Sequence, residues 1–122
     1  MISSLIKGWW RQIADAVEVG RLTLITSPAA IDEFVDVSRR PHIAKLIDPE
    51  DAEEVANLLR RAELFRPAQI PTICRDPNDD YLLALAATAT ADRLVSRDED
   101  LLVLRQHGNT KIVPIAEFLQ EL

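Results

Sequence analysis

Three prolines in this chain directly follow a helix-capping residue, and these pairs constrain the fold more than any other feature. The pairs are Ser27-Pro28, Asp48-Pro49 and Asp76-Pro77. A capping side chain followed by proline at the first helical position is a typical start signal for a helix. A short β-rich run at 22–26 (LTLIT) precedes the first start, and similar runs at 93–96 and 111–115 follow the third. Strands that alternate with helices predict an α/β fold with a parallel sheet.

Helical spacing of apolar residues predicts the elements between these signals. A stripe with Trp9 and Ile13 predicts a first helix over about 4–19 that ends near Gly20, and Trp10 falls beside this stripe. The other predicted helices run from Ser27 to before Pro41, from Asp48 to about Arg61, from the Asp76 start through 91, from the Asp98 start through 104, and from after 115 to near Leu122. The predicted strands are 22–26, a weak one at 64–65, 93–96 and 111–115.

Composition limits the kinds of protein this chain can be. Its 122 residues predict a single domain over 1–122. The net charge of −6 excludes a strongly basic surface, so any contact with nucleic acid must be local. The apolar run at 82–91 is shorter than the roughly 20 residues that span a bilayer, and no leader pattern is present. We expect a cytoplasmic protein without membrane association, in which the single Cys74 has a packing or loop role.

Acidic residues gather where predicted strands lead into helices. In a parallel sheet, sites form beyond the carboxyl ends of the strands. Three places qualify, with acids at Asp32, Glu33 and Asp36, at Asp76, Asp79 and Asp80, and at Asp98, Glu99 and Asp100. Taken singly, Asp76 and Asp98 are explained as N-caps that satisfy free N–H groups. Capping would not explain why acids from two helix starts lie side by side at one edge of the sheet. Carboxylates about 4 Å apart repel by roughly 4 kcal/mol at an effective dielectric of about 20. If two starts meet, a divalent cation such as Mg²⁺ would neutralise them.

Other catalytic templates fit the sequence less well. It contains no glycine-rich phosphate loop, no nucleophile elbow and no histidine pair at metal-ligand spacing. A receiver-like phosphoacceptor domain also collects acids at a sheet edge. That class needs a lysine near the end of the last strand, whereas Lys111 precedes the apolar part of its strand.

Three motifs occur in a fixed order along the chain. They are SPxxxxE at 27–33, CRDPNDDYLLALAATATADRLVSRDEDLL at 74–102 and KIVPIAEFL at 111–119. Together they resemble the PIN domain family, in the form found in toxins of toxin-antitoxin pairs, over nearly the whole chain. The resemblance implies a three-layer α/β/α sandwich with a parallel sheet. It also implies an endoribonuclease that uses Mg²⁺ or Mn²⁺ held by a cluster of acids.

The resemblance assigns roles to four acidic residues. Glu33, Asp79 and Asp98 match the family's catalytic and metal-binding acids, and Asp100 matches an accessory metal ligand. Helical spacing alone does not separate Glu33 from Asp32, and Asp80 is the nearest rival to Asp79. The implied partners are an RNA substrate, a cognate antitoxin and a second copy of the chain in a homodimer. Local arginines would attract the RNA, namely Arg39, Arg40, Arg75 and Arg97.

The sequence departs from the family pattern at its front. Family members open with an apolar strand that ends in Asp, before a segment that resembles 2–6 (ISSLI). That strand is the central one of a sheet with order 3-2-1-4-5, and we expect it and the first catalytic Asp to be missing here. A start assigned downstream of the true one, a decayed relative or a strand supplied by another chain would each explain this truncation. The alternative function is a catalytically inactive PIN-like binding or dimerisation module.

Overall fold

The computed structural model describes residues 10–122 and divides the chain into two compact units. The first unit ends at Leu64, and the second comprises Phe65–Leu122. The segment 2–6 and the first turns of the predicted helix at 4–19 lie outside the described residues. The expected departure at the front of the chain therefore stays a prediction.

The first unit consists mainly of helices. Its elements are α1 (Trp10–Glu18), β1 (Ile25–Thr26), α2 (Pro28–Ser38), α3 (Pro41–Ala44), α4 (Pro49–Arg61) and β2 (Glu63–Leu64). The two short strands pair in parallel, with Ile25 opposite Glu63. Ser27 caps α2 as predicted, because its side chain accepts a hydrogen bond from the N–H of Ala30 at 3.1 Å.

Helices α1, α2 and α4 surround the apolar core of the first unit. Its buried members are Trp10, Phe34, Ile47, Val55, Ala56 and Leu59. Trp10, which helical spacing places beside the apolar stripe of α1, is buried in this core. Gly20 ends the first helix with a positive φ of 79°, a backbone conformation that glycine adopts without steric penalty.

The second unit combines a small sheet with three helices. Its elements are α5 (Pro77–Thr88), β3 (Arg93–Val95), α6 (Glu99–Leu102), β4 (Gln106–His107), β5 (Thr110–Val113) and α7 (Ile115–Glu121). Strand β5 lies between the other two, parallel to β3 and antiparallel to β4. Leu83 of α5, Leu101 of α6 and Ile112 of β5 form its buried core, which fixes both helices against the sheet.

The α/β class and the parallel pairings agree with the sequence, while the details of the sheet differ. The three capping-residue and proline pairs all start helices, at Pro28, Pro49 and Pro77. The described residues form two short sheets, each with one parallel pair, and β4 adds an antiparallel pair that was not predicted. The run at 22–26 is β structure only at Ile25–Thr26. Strand β4 was not predicted, because a strand of two residues is too short to show a periodic pattern.

Helix boundaries also shift by a few residues. The helix predicted from the Asp76 start through Ala91 begins at Pro77 as expected and ends earlier, at Thr88. Helix α3 was not predicted; Pro41 ends the preceding helical region and then occupies the first position of this short helix. Among residues 10–122, no helix has the length and apolar character needed to cross a membrane.

Candidate functional site

Two helix starts in the second unit carry the acidic residues of the candidate site. At α5, Asp76 accepts a hydrogen bond from the N–H of Asn78 at 2.9 Å. At α6, Asp98 accepts one from the N–H of Asp100 at 2.9 Å. Ser96 follows β3 and accepts a hydrogen bond from the N–H of Asp98, which fixes the turn between strand and helix. Both predicted N-caps are therefore confirmed.

Three carboxylates converge between these starts. One oxygen each from Asp79, Asp98 and Asp100 lies within 4.8 Å of the others. Like charges at this separation repel by roughly 3 kcal/mol at an effective dielectric of about 20. Asp79 is only 6% exposed, and its Oδ2 is buried without a hydrogen-bond partner among residues 10–122. A buried carboxylate oxygen without a donor is rare in native proteins and indicates a missing partner.

Burial and crowding change the protonation of Asp79. Loss of solvent around the side chain raises its pKa from an ordinary 3.8 to about 6, and the neighbouring Asp98 carboxylate acts in the same direction. Below this pH, a proton neutralises the buried group. Once this proton is lost, the carboxylate is charged beside two other acids, so a cation at this position would relieve both its desolvation and its repulsion.

Asp80 has a different role, and the structure separates it from Asp79. Its Oδ1 accepts hydrogen bonds from the N–H groups of Cys74 at 2.8 Å and Ile73 at 3.1 Å. These bonds, led by the one from Cys74, hold the pKa of Asp80 below its usual range. The carboxylate of Asp80 thus fastens the loop before α5, whereas Asp79, one residue earlier, faces the other acids.

Asp100 carries the one ion pair that reaches the cluster among the described residues. Nη2 of Arg75 lies 2.6 Å from Oδ1 of Asp100. The arginine side chain is 87% exposed and that of Asp100 is 35% exposed. This pair neutralises one of the three negative charges, and the other two have no cationic partner among the described residues.

Glu33 lies in the first unit, and the three converging carboxylates come from the second unit alone. It is on α2, and both Glu33 and the adjacent Asp32 are exposed. Their exposure within the unit does not favour one over the other. The assignment of Glu33 as a catalytic acid therefore stays a prediction.

The donor set of the cluster suits a hard divalent cation. Carboxylate oxygens are the ligands that Mg²⁺ and Mn²⁺ prefer, and thiols favour softer metals. The nearby Cys74 does not change this chemistry. Burial, followed by the charges of Asp80 and Asp79, raises the pKa of its thiol, which stays protonated at neutral pH. Cys74 packs against the core of the second unit, as expected for a packing role.

Comparison with known proteins identifies the family. A family model described as a PIN domain matches residues 2–100. The chain belongs to the PIN domain family, which agrees with its α/β fold. PIN domains generally use divalent metals, and membership supports a nuclease-type function. Comparison with curated proteins and with solved structures finds no match.

Sequence reasoning did not predict the bond between Arg75 and Asp100. It placed Arg75 among the arginines near the site but could not pair it with a residue 25 positions away. The available signal was its position directly before the N-cap Asp76, which places a cation at the start of an acidic helix. The anchoring role of Asp80 left no signal, because its partners are backbone groups.

We expect Asp80→Ala to destabilise the second unit. The substitution leaves the N–H groups of Ile73 and Cys74 without their acceptor, and hydrogen bonds to a charged group contribute more than neutral ones. Thermal unfolding followed by circular dichroism should show a melting temperature lower by roughly 5 °C or more. Asp92→Ala, which removes an exposed acid of the same unit, is the matched control and should change little. Equal effects of the two substitutions would contradict the anchoring role.

A second expectation concerns pH. Because folding raises the pKa of Asp79, the folded chain binds this proton more tightly than the unfolded chain. Its contribution to stability is therefore present below about pH 4 and lost as pH rises to about 6. In the absence of divalent cations, Asp79→Asn should be more stable than the wild type at pH 7 by a few degrees, with the difference shrinking towards pH 4. Thermal unfolding at a series of pH values measures this, and a difference in melting temperature that is constant with pH would contradict it.

Proposed function

We propose that this chain is an endoribonuclease that depends on Mg²⁺ or Mn²⁺. The observation that carries the proposal is the convergence of Asp79, Asp98 and Asp100 around a buried oxygen of Asp79 that has no donor among the described residues. A cation accounts for all three features of this cluster: its repulsion, its buried charge and its unpaired oxygen. The PIN domain match supports the nuclease class.

Each acidic residue of the second unit would have its own role in binding the cation. Asp79, Asp98 and Asp100 would hold the cation, and α5 and α6 fix the positions of these three residues. A bound Mg²⁺ or Mn²⁺ supplies Lewis-acid activation of water and of the phosphodiester. Asp98 keeps one oxygen on the N–H of Asp100, so its other oxygen is free of that bond and can face the cation. Asp80 keeps the loop before α5 in place.

The resemblance to toxins extends the proposal to biological role. It makes the protein the toxin component of a toxin-antitoxin system, with RNA as substrate, a cognate antitoxin as partner and a homodimer as its assembly. It also assigns Glu33 to the catalytic acids. Since the chain carries a net charge of −6, RNA would depend on local arginines and on the bound cation for attraction.

A second function is favoured by a specific observation. Two of the three acids already have local partners, since Asp98 caps α6 and Asp100 binds Arg75. A catalytically inactive binding or dimerisation module would use them only in this way. Such a module would show no thermal stabilisation by Mn²⁺. An ion that binds a specific site and is present at 100 times its dissociation constant would instead stabilise the fold by about 2.7 kcal/mol.

We expect the chain to cleave RNA only with Mg²⁺ or Mn²⁺, and Asp79→Asn to lower the rate at least about 10- to 100-fold. This is the loss that even disturbed outer partners of a metal commonly cause. A quenched fluorescent RNA measures the rate, and EDTA should abolish it. Asp76→Asn is the matched control, because it removes the same charge at the same helix start while asparagine still caps the helix. Wild-type activity in Asp79→Asn would reject the role of Asp79.

The proposed role of Glu33 has its own test. Glu33→Gln should reduce the RNA cleavage rate about tenfold or more, because it removes a charge from the catalytic acids. Asp32→Asn provides the comparison, since this neighbour is also acidic and exposed on α2. The two variants should unfold at the same temperature as the wild type. If Asp32→Asn loses activity and Glu33→Gln keeps it, the assignment moves to Asp32.

A further inference from the structure

Arg75 stands out among the residues around the acidic cluster because it is both anchored and exposed. The backbone N–H of the preceding Cys74 is bound to Asp80, and the following Asp76 caps α5. Its backbone is therefore fixed on both sides, while its side chain is 87% exposed. The guanidinium can change partners at this rim without any rearrangement of the fold.

The present partner of Arg75 belongs to the candidate metal site. Its Nη2 lies 2.6 Å from Oδ1 of Asp100, one of the three converging acids. A divalent cation held by Asp79, Asp98 and Asp100 would compete with the guanidinium for the same carboxylate and repel its charge. Exposed ion pairs of this kind are weak, so a cation can displace the arginine.

We propose that the guanidinium of Arg75 alternates between two partners. It binds Asp100 while the site lacks a divalent cation, and it binds a phosphate group of RNA once a cation has displaced it from Asp100. This inference rests on the proposed function and names a substrate-binding residue for it. The forked guanidinium matches the oxygens of a phosphate in geometry and charge. An acidic chain needs such a contact, because its overall charge repels RNA.

The two partners of Arg75 predict opposite effects of one substitution. Arg75→Gln removes a competitor of the metal, so the full-length variant should bind Mn²⁺ roughly two- to fivefold more tightly, the range that an exposed ion pair supports. The same variant loses a phosphate contact, so its affinity for RNA in Mn²⁺ should fall. The slope of the logarithm of RNA affinity against the logarithm of salt concentration should become shallower by about one. A merely structural arginine would not move these two affinities in opposite directions.

Manganese binding is measured by electron paramagnetic resonance of the free ion. RNA binding is measured by anisotropy of a fluorescein-labelled RNA 12-mer, within a time in which a gel shows the RNA to be intact. Arg97→Gln is the matched control for manganese binding. It removes the same charge one residue before Asp98, from an exposed arginine that makes no ion pair among residues 10–122. The expected result is tighter Mn²⁺ binding in Arg75→Gln than in both the wild type and Arg97→Gln.

The outcomes separate this inference from the proposed function. If the wild type binds Mn²⁺ and Arg75→Gln binds it no more tightly than Arg97→Gln, only the competition by Arg75 is overturned. If Arg75→Gln keeps wild-type affinity for RNA in Mn²⁺, the proposed contact of Arg75 with a phosphate is overturned, while the proposed metal-dependent function stands. If neither the wild type nor Arg75→Gln binds Mn²⁺, the proposed metal-dependent function fails and the inference fails with it.

Discussion

Apolar packing in the second unit places two helix starts side by side, and the candidate site depends on it. Leu83 of α5 and Leu101 of α6 are fully buried, and Ile112 of β5 packs with them. Each such side chain contributes about 1.5–3 kcal/mol on burial. Three carboxylates make three repelling pairs, and the ion pair of Asp100 with Arg75 relieves the two that involve Asp100. The burial of these apolar side chains exceeds the roughly 3 kcal/mol of the remaining pair. The core can therefore hold charges together that would otherwise move apart.

Different groups neutralise the different acids of the cluster. Asp98 is stabilised by the N–H of Asp100, and Asp100 by the guanidinium of Arg75. Asp79 has neither kind of partner, and burial shifts its pKa upwards. The unneutralised charge of the cluster is thus greatest at one buried oxygen, Oδ2 of Asp79. This asymmetry is unusual for acids that serve only as helix caps, because capping supplies each acid with its own donors.

Much of the fold follows from local sequence signals, while the site required long-range contacts. The helices that start at Pro28, Pro49 and Pro77 were predictable, because a cap acts on N–H groups only two or three residues away. The short helix α3 and the strand β4 were not, because four or two residues are too few to show a period. The acids of the site were visible as candidates, but adjacent residues could not be ranked from helical spacing.

The sequence by itself determined the helix starts at Pro28, Pro49 and Pro77 and the two stretches of the second unit that carry the acids, because capping acts within one turn of chain. It also determined the α/β class, because strand runs alternate with helix signals along the chain. Only the tertiary structure shows which of Asp79 and Asp80 has its carboxylate in the acidic cluster. One residue along a helix turns a side chain by about 100°, so one carboxylate meets the backbone of Cys74 and the other meets Asp98. It also decided that Arg75 pairs with Asp100, because packing α5 and α6 on one sheet brings together residues that are distant in the chain.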